Sequence, residues 1–239
     1  MRQRLSALKI ILSLLVISSC SFENENSNRT IEDIADEILD ATMLRYPSMP
    51  TFYSIENHRH DQLFDNSLDA LDQWKVKEDQ WLEELDAIGE PEEVGSRDWV
   101  TFGIIYESLA ASRDARVCRK ELWETSTTTA WYTGLPFIFD IQPLDSANLK
   151  RQALNRLGQV SHYIDREIQN LTIGLSQGYS SPRITVEAVP SEVRMLLEPN
   201  SPFLLMGERA EDEEFNNQVK SIFDVEIAPA IRRYAQFIE

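Results

Sequence analysis

Apolar side chains return every three to four residues along almost the whole chain beyond residue 30, and no stretch alternates apolar and polar residues for long enough to make a strand. That period predicts an all-α protein, a helical bundle of about six helices joined by long irregular connections. A first helix follows Thr30, with Asp33 placed to complete a cap. It carries Ile31, Ile34, Ile38 and Leu39 on one face and ends near Tyr46-Pro47. A second runs from about Ser67 to Ile88, with Leu71, Trp74, Trp81, Leu82, Leu85 and Ile88 inward and Gly89 closing it. Its acidic residues Glu78, Asp79, Glu83, Glu84 and Asp86 read as a solvated outer face. A third follows Ser96 with Trp99, Val100, Phe102, Ile105, Leu109 and Val117. The fourth and longest starts near Ser146 and runs through Leu149, Leu154, Leu157, Val160, Ile164, Ile168, Leu171 and Leu175. Between them Ala130–Leu144 is aromatic and broken by Pro136 and Pro143. It reads as an irregular segment too apolar to sit in water, which packs on the bundle or lines a cleft. Beyond Pro182 come a short helix through Leu197, a proline-rich loop and a last helix from about Glu211. Its pattern of Ile231, Tyr234, Phe237 and Ile238 is still running at Glu239, so the sequence reads as interrupted there.

The N-terminus has a separate logic. Arg2, Arg4 and Lys9 precede the apolar run Ile10–Ile17, and Ser18-Ser19-Cys20 closes it, the order of an export signal. The run is far short of the ~20 residues that cross a bilayer as a helix. An apolar residue, two small residues and a cysteine resemble the bacterial lipobox, which predicts cleavage after residue 19 and lipid on Cys20. The expected organisation is a signal peptide over 1–19, a flexible tether over 20–29 and a helical region over 30–239. Ser21 after the cysteine resembles lipoproteins bound for the outer membrane, which would place the chain in the cell envelope, facing the periplasm or the exterior. Against 23 basic residues stand 40 acidic ones, for a net charge of −17, and loss of Arg2, Arg4 and Lys9 takes this to −20. Such a surface repels phosphate backbones and excludes nucleic acid as a partner.

Tests for chemistry are mostly negative. With Cys20 lipidated, Cys118 has no partner for a disulfide. Arg116 and Arg119 would lower its pKa, but without a base it reads as a packed or idle thiol. His58, His60 and His162 are the three histidines, and none lies in a helix with the His-Glu-x-x-His spacing a zinc peptidase needs. Gly174-Leu175-Ser176-Gln177-Gly178 matches the nucleophile-elbow pattern. That motif works at a strand-to-helix turn with a histidine later in the chain, and neither condition holds here. No metal, cofactor or catalytic residue is expected in this chain.

Several segments together resemble the bacterial domain of unknown function 885 family. Tyr46-Pro47 leading to His58-Arg59-His60-Asp61 resembles its start, and Leu135-Pro136-Phe137 with Gln142-Pro143 its middle loop. Tyr163-Ile164-Asp165, then Gly178-Tyr179-Ser180-Ser181-Pro182-Arg183 and Val186-Glu187, resembles its helix, Gly-Tyr-x-x-Pro-Arg turn and next helix. Ile227–Arg233 resembles the segment after that. His60 stands where an aromatic is usual, and Ile55-Glu56-Asn57 replaces a common Leu-Gly. The resemblance implies membership of a group whose longer members carry a later His-Glu-x-x-Pro-Gly-His-His-like helix and resemble gluzincin-type zinc peptidases. This chain would then be the helical front part of a larger fold, one wall of a peptide-binding cleft. Zinc is expected only where that later half is present, and the partners would be a peptide or that catalytic half.

Two readings follow. In one, the chain is the N-terminal portion of a metallopeptidase-like lipoprotein, inactive by itself. In the other, it is a free-standing lipoprotein binding module. Arg59 and Asp61 are the candidate binding residues of the polar turn, with a local structural ion pair as the plainer explanation. Trp131 and Tyr132, with Phe137 and Phe139, are the candidate ligand surface of a module. A well-packed last helix favours the module, and an exposed apolar stripe on it favours the fragment.

Overall fold

The computed structural model describes residues 29–55, 58–126, 128 and 130–239. The expected leader, Cys20 and the tether as far as residue 28 lie outside the described residues. Among the described residues the fold is all-α, with nine helices of eight residues or more and no strand. They form two packed groups, each around its own apolar core.

The first group is α1 (Ile31–Arg45), α3 (Leu68–Ile88) and α4 (Arg97–Ala115), with the single turn α2 (Met49–Phe52) in the link. Local chemistry starts each long helix. Thr30 Oγ1 accepts from Asp33 N at 3.1 Å while Asp33 Oδ2 accepts from Thr30 N at 2.8 Å, closing a capping box. Those bonds hold the Asp33 carboxyl below its ordinary pKa. Ser67 and Ser96 cap α3 and α4 by accepting from Ala70 N and Trp99 N. Ile31 and Ile34 of α1, Trp81, Leu82 and Leu85 of α3, and Phe102 and Leu109 of α4 fill the core. The apolar faces are narrower than the sequence suggests: Leu39, Ile88, Val100 and Val117 are exposed. The solvated acidic face of α3 also needs correcting, because Glu78 is only 6% exposed. Its carboxylate accepts from Trp74 Nε1 at 2.8 Å, Ser112 Oγ at 2.9 Å and Arg116 Nη2 at 3.0 Å. A buried carboxylate with three donors is a strut between α3 and the end of α4.

The second group holds α5 (Trp131–Asp140), α6 (Ala147–Leu157), α7 (Val160–Ser176), α8 (Arg183–Val186), α9 (Val189–Met195), α10 (Pro202–Arg209), α11 (Glu213–Ile222) and α12 (Ala228–Ile238). Phe139, Leu157, Val160, Ile164, Val189, Val193, Phe203, Val219, Ile227 and Ile231 make its fully buried centre. α12 lies against α7 and α9, and α10 against α5 and α11. Four expectations change here. The aromatic stretch is the helix α5, which carries Pro136 inside it and lays Phe139 on Phe203 with ring centroids 5.2 Å apart. The expected long fourth helix is α6 and α7, broken at Gly158-Gln159, although the apolar period runs through the break. The proline-rich loop opens a helix, Pro202 taking the first position of α10, where a missing N–H costs nothing. The last helix is α11 and α12 joined by a π-turn over Phe223–Ile227, just before Pro229, whose ring and absent N–H disturb an ordinary helical ladder. About six helices thus become nine.

Candidate functional site

Residues 58–66, between α2 and α3, form no regular element, yet His60 to Leu63 and Asn66 are fastened to the second group. The backbone groups of an irregular segment need partners, and here long polar side chains supply them. Gln152 Oε1 accepts from His60 N at 2.7 Å, and Gln142 Nε2 donates to His60 O at 3.1 Å. Gln159 takes the next turn of the loop, donating to Asp61 O at 2.8 Å and accepting from Leu63 N at 3.1 Å. Further along, Asn170 Nδ2 donates to Asn66 O at 2.8 Å, and Asn66 Nδ2 donates to Glu167 Oε1 at 2.6 Å and to Tyr163 O at 3.1 Å. Burial raises the pKa of both Glu167 and Tyr163.

Arg156, on the last turn of α6, is the centre of this clamp and has no exposed surface. Its Nε donates to Gln62 O at 2.9 Å and its Nη2 to Pro47 O at 2.9 Å, while Nη1 donates to Thr51 Oγ1 at 2.8 Å and Gln142 Oε1 at 2.7 Å. All four acceptors are neutral. Burial brings the guanidinium pKa down to about 10, offset in part by the Asp61 charge. Because Thr51 Oγ1 accepts from Arg156, its own proton is free for His60 Nδ1, 2.8 Å away. That arrangement suits a neutral imidazole with its proton on Nε2. Burial first, and then the Arg156 charge, hold His60 below the ordinary histidine pKa.

The clamp pairs an outward Arg59 with a nearly buried Asp61. Arg59 Nε and Nη2 donate to the two oxygens of Asp61 at 3.0 and 2.5 Å. The arginine side chain is 74% exposed, whereas that of the aspartate is 9% exposed. They line a groove of about 410 Å³ between the loop and the C-terminal half of α1, with Met43, Leu44, Pro47 and Pro50 as apolar walls and Asp40, His58 and Gln62 at the rim. On the other side of α1, Arg45 lies over the Phe64 ring at 4.1 Å and Tyr46 stacks on the same ring at 5.3 Å, which fixes the loop's far end to the first group.

The other residues singled out from sequence lie elsewhere. Trp131 and Tyr132 are core residues, each 6% exposed, packed on Tyr234, with Tyr132 Oη donating to Ser126 O at 2.6 Å. They do not form an open surface; Phe137, on the opposite side of α5, is exposed. Ser176 ends a helix, its Oγ bonded to Ile173 O at 2.6 Å, so the elbow pattern has no elbow geometry. Cys118 is exposed in a single 3₁₀ turn after α4, and Val117 beside it is exposed as well.

Zinc needs three or four converging nitrogen, sulfur or oxygen donors. Among the described residues no group of three or more His, Cys, Asp or Glu side chains converges in that way. His60 is turned inward onto Thr51, and His162 is exposed on α7. The residues present do not fit the metal. Sequence reasoning gave no such role to Thr51, Gln142, Gln152, Arg156 and Gln159, which look like ordinary polar residues until the loop is laid across them.

The architecture defines an all-helical protein in which an irregular loop is clamped across two helix groups. Residues 47–239 match the model of the family described as Bacterial protein of unknown function (DUF885), and the chain belongs to that family. The match begins at Pro47, just after α1 and ahead of the clamped loop, so Asp40, Met43 and Leu44 of the groove precede it. No curated protein matches the chain.

Proposed function

We propose that this chain is the ligand-binding helical front part of a metallopeptidase-like lipoprotein of the cell envelope, held to the membrane by lipid on Cys20 and without hydrolytic machinery of its own. The observation that carries the binding role is the clamped loop. Six side chains, those of Arg45, Gln142, Gln152, Arg156, Gln159 and Asn170, hydrogen-bond its backbone, while its charged pair lines a groove. Irregular segments held this rigidly over a scaffold are where recognition residues sit. The metallopeptidase-like half of the proposal rests on the family resemblance alone, and the want of a fitting donor set among the described residues supports the part that denies this chain hydrolytic machinery. For the lipid anchor the support is the order of residues 2–20. No helix among the described residues is long and apolar enough to cross a membrane.

A second reading, a free-standing binding module, is favoured by one observation. The apolar residues of α12 are not an exposed stripe: Ile231, Tyr234 and Ala235 are buried against the rest of the second group. The two readings share the binding role. To test the anchor and the want of hydrolysis, the full chain is purified from membranes of bacteria fed a labelled fatty acid and incubated with a mixture of short peptides. The expected result is label that disappears in Cys20→Ala and peptides recovered uncut. Peptide cleavage by the purified chain, or a Cys20→Ala variant that stays labelled, would overturn the corresponding half.

A further inference from the structure

The groove beside Arg59 has a chemistry that narrows its ligand. Asp61 takes the side-on edge of the guanidinium, Nε and Nη2, and its own carboxylate is nearly buried. The backbone of Asp61 is fixed in turn by Gln159, 2.8 Å from its carbonyl. Arg59 is therefore oriented by a nearly buried partner whose own backbone is hydrogen-bonded to α6–α7 through Gln159. Its end-on edge is unspent: Nη1 makes no hydrogen bond among the described residues. A planar fork with a free edge is built to take a carboxylate with two parallel bonds. The same cavity has walls of Met43, Leu44, Pro47 and Pro50, so the acid it receives carries an apolar group close to it.

We infer that the groove takes the free C-terminal carboxylate of a peptide whose last side chain is apolar. In such a residue the carboxylate and the side chain leave the same carbon, which matches a single fork set beside an apolar wall. Charge decides against phosphate. Asp40 and Asp61 also line the groove and the chain carries −17, so a second negative charge on the ligand meets more repulsion than a carboxylate does. The rim decides against a fatty acid, because Asp40, His58 and Gln62 offer partners to a peptide backbone that an acyl chain cannot use. The volume, about 410 Å³, lies within the range of small-ligand sites.

This assignment rests on the binding role proposed above. Calorimetry on the full chain with N-acetyl-Ala-Ala-Leu and with the same peptide as its C-terminal amide tests it. The free acid is expected to bind and the amide to bind about tenfold or more weakly, the worth of a hydrogen bond to a charged group. Arg59→Gln should erase that difference in a chain that still unfolds cooperatively, at a temperature lowered by the loss of the guanidinium that pairs the nearly buried Asp61 carboxylate. Leu44→Asp, also at an exposed position, should weaken the Leu-ending acid. Equal affinity for acid and amide, no binding of either at millimolar peptide, tighter binding of octanoate, or displacement by inorganic phosphate would each overturn the ligand assignment. Cleavage of the peptide would instead overturn the non-hydrolytic role, leaving the preference for acid over amide still measurable.

Discussion

Gly174 and Ser176 belong to the same five-residue pattern, and only the glycine matters to the structure in the way a motif residue should. A Cβ at Gly174 would lie 1.8 Å from Leu122 O and 2.7 Å from its carbonyl carbon, so α7 and the turn ending at Leu122 touch backbone to backbone there. Gly174→Ala should lower stability by about 1–3 kcal/mol or more, because backbone cannot yield as a side chain can. Urea unfolding reads this directly, and an unshifted midpoint would contradict the contact. His60 makes a second prediction at this scale. Its folded pKa lies below its unfolded value, so the unfolded chain binds more protons just below neutrality and stability falls as pH drops through that window. Glu167, raised by burial, has the opposite slope. The wild-type protein should lose more stability between about pH 7 and pH 5 than His60→Asn, which keeps an acceptor near Thr51. Equal losses would place His60 in an ordinary environment. Residues whose partners are close in sequence were readable: Thr30, Ser67 and Ser96 cap the helices that their neighbours announce. Glu78 and Arg156 were not readable, because apart from Trp74 the partners of Glu78 lie 34 to 38 residues away and those of Arg156 lie 14 to 109 away.

At the scale of elements, the same division between local and distant causes explains which boundaries were legible. The limits of α1, α3 and α4 follow from caps, Gly89 and the Tyr46-Pro47 stop. α5 was hidden because Pro136 and Gly134 signal irregular chain. Yet a proline at the sixth position of a ten-residue helix removes one hydrogen bond, which burial of Trp131, Tyr132, Ile138 and Phe139 outweighs. The break between α6 and α7 carries no polar interruption, only Gly158, so periodicity runs straight across it. The loop over residues 58–66 reads correctly as a turn beside Arg59 and Asp61, but nothing local reveals what fastens it. Arg156→Met tests that fastening. It strips Thr51, Gln142 and two backbone carbonyls of their donor and should cost about 1–3 kcal/mol or more, the penalty for leaving buried acceptors unpaired. It should also speed amide exchange at His60 and Leu63, whose acceptors are Gln152 and Gln159 on the same clamp. Unchanged protection at both amides would mean that the loop is held independently of the arginine.

For the whole molecule, helical period over most of the chain was enough to give an all-α fold, while the grouping into two cores was not, since it depends on which helices the clamped loop and the Glu78 strut bring together. Both cores are closed by their own residues, and α12 buries its apolar face within the second. The chain is thus organised as a scaffold for a clamped loop whose Arg59 faces outward, and among the described residues the groove beside it gathers no cluster of metal-ligating side chains. Zinc stoichiometry tests this most directly: the purified full chain is equilibrated with zinc, passed through a desalting column and assayed for bound metal and for peptide turnover in the same sample. The expected result is well under one zinc per chain and no turnover. One tightly held zinc per chain, with peptide cleavage that a chelator abolishes and zinc restores, would contradict the account.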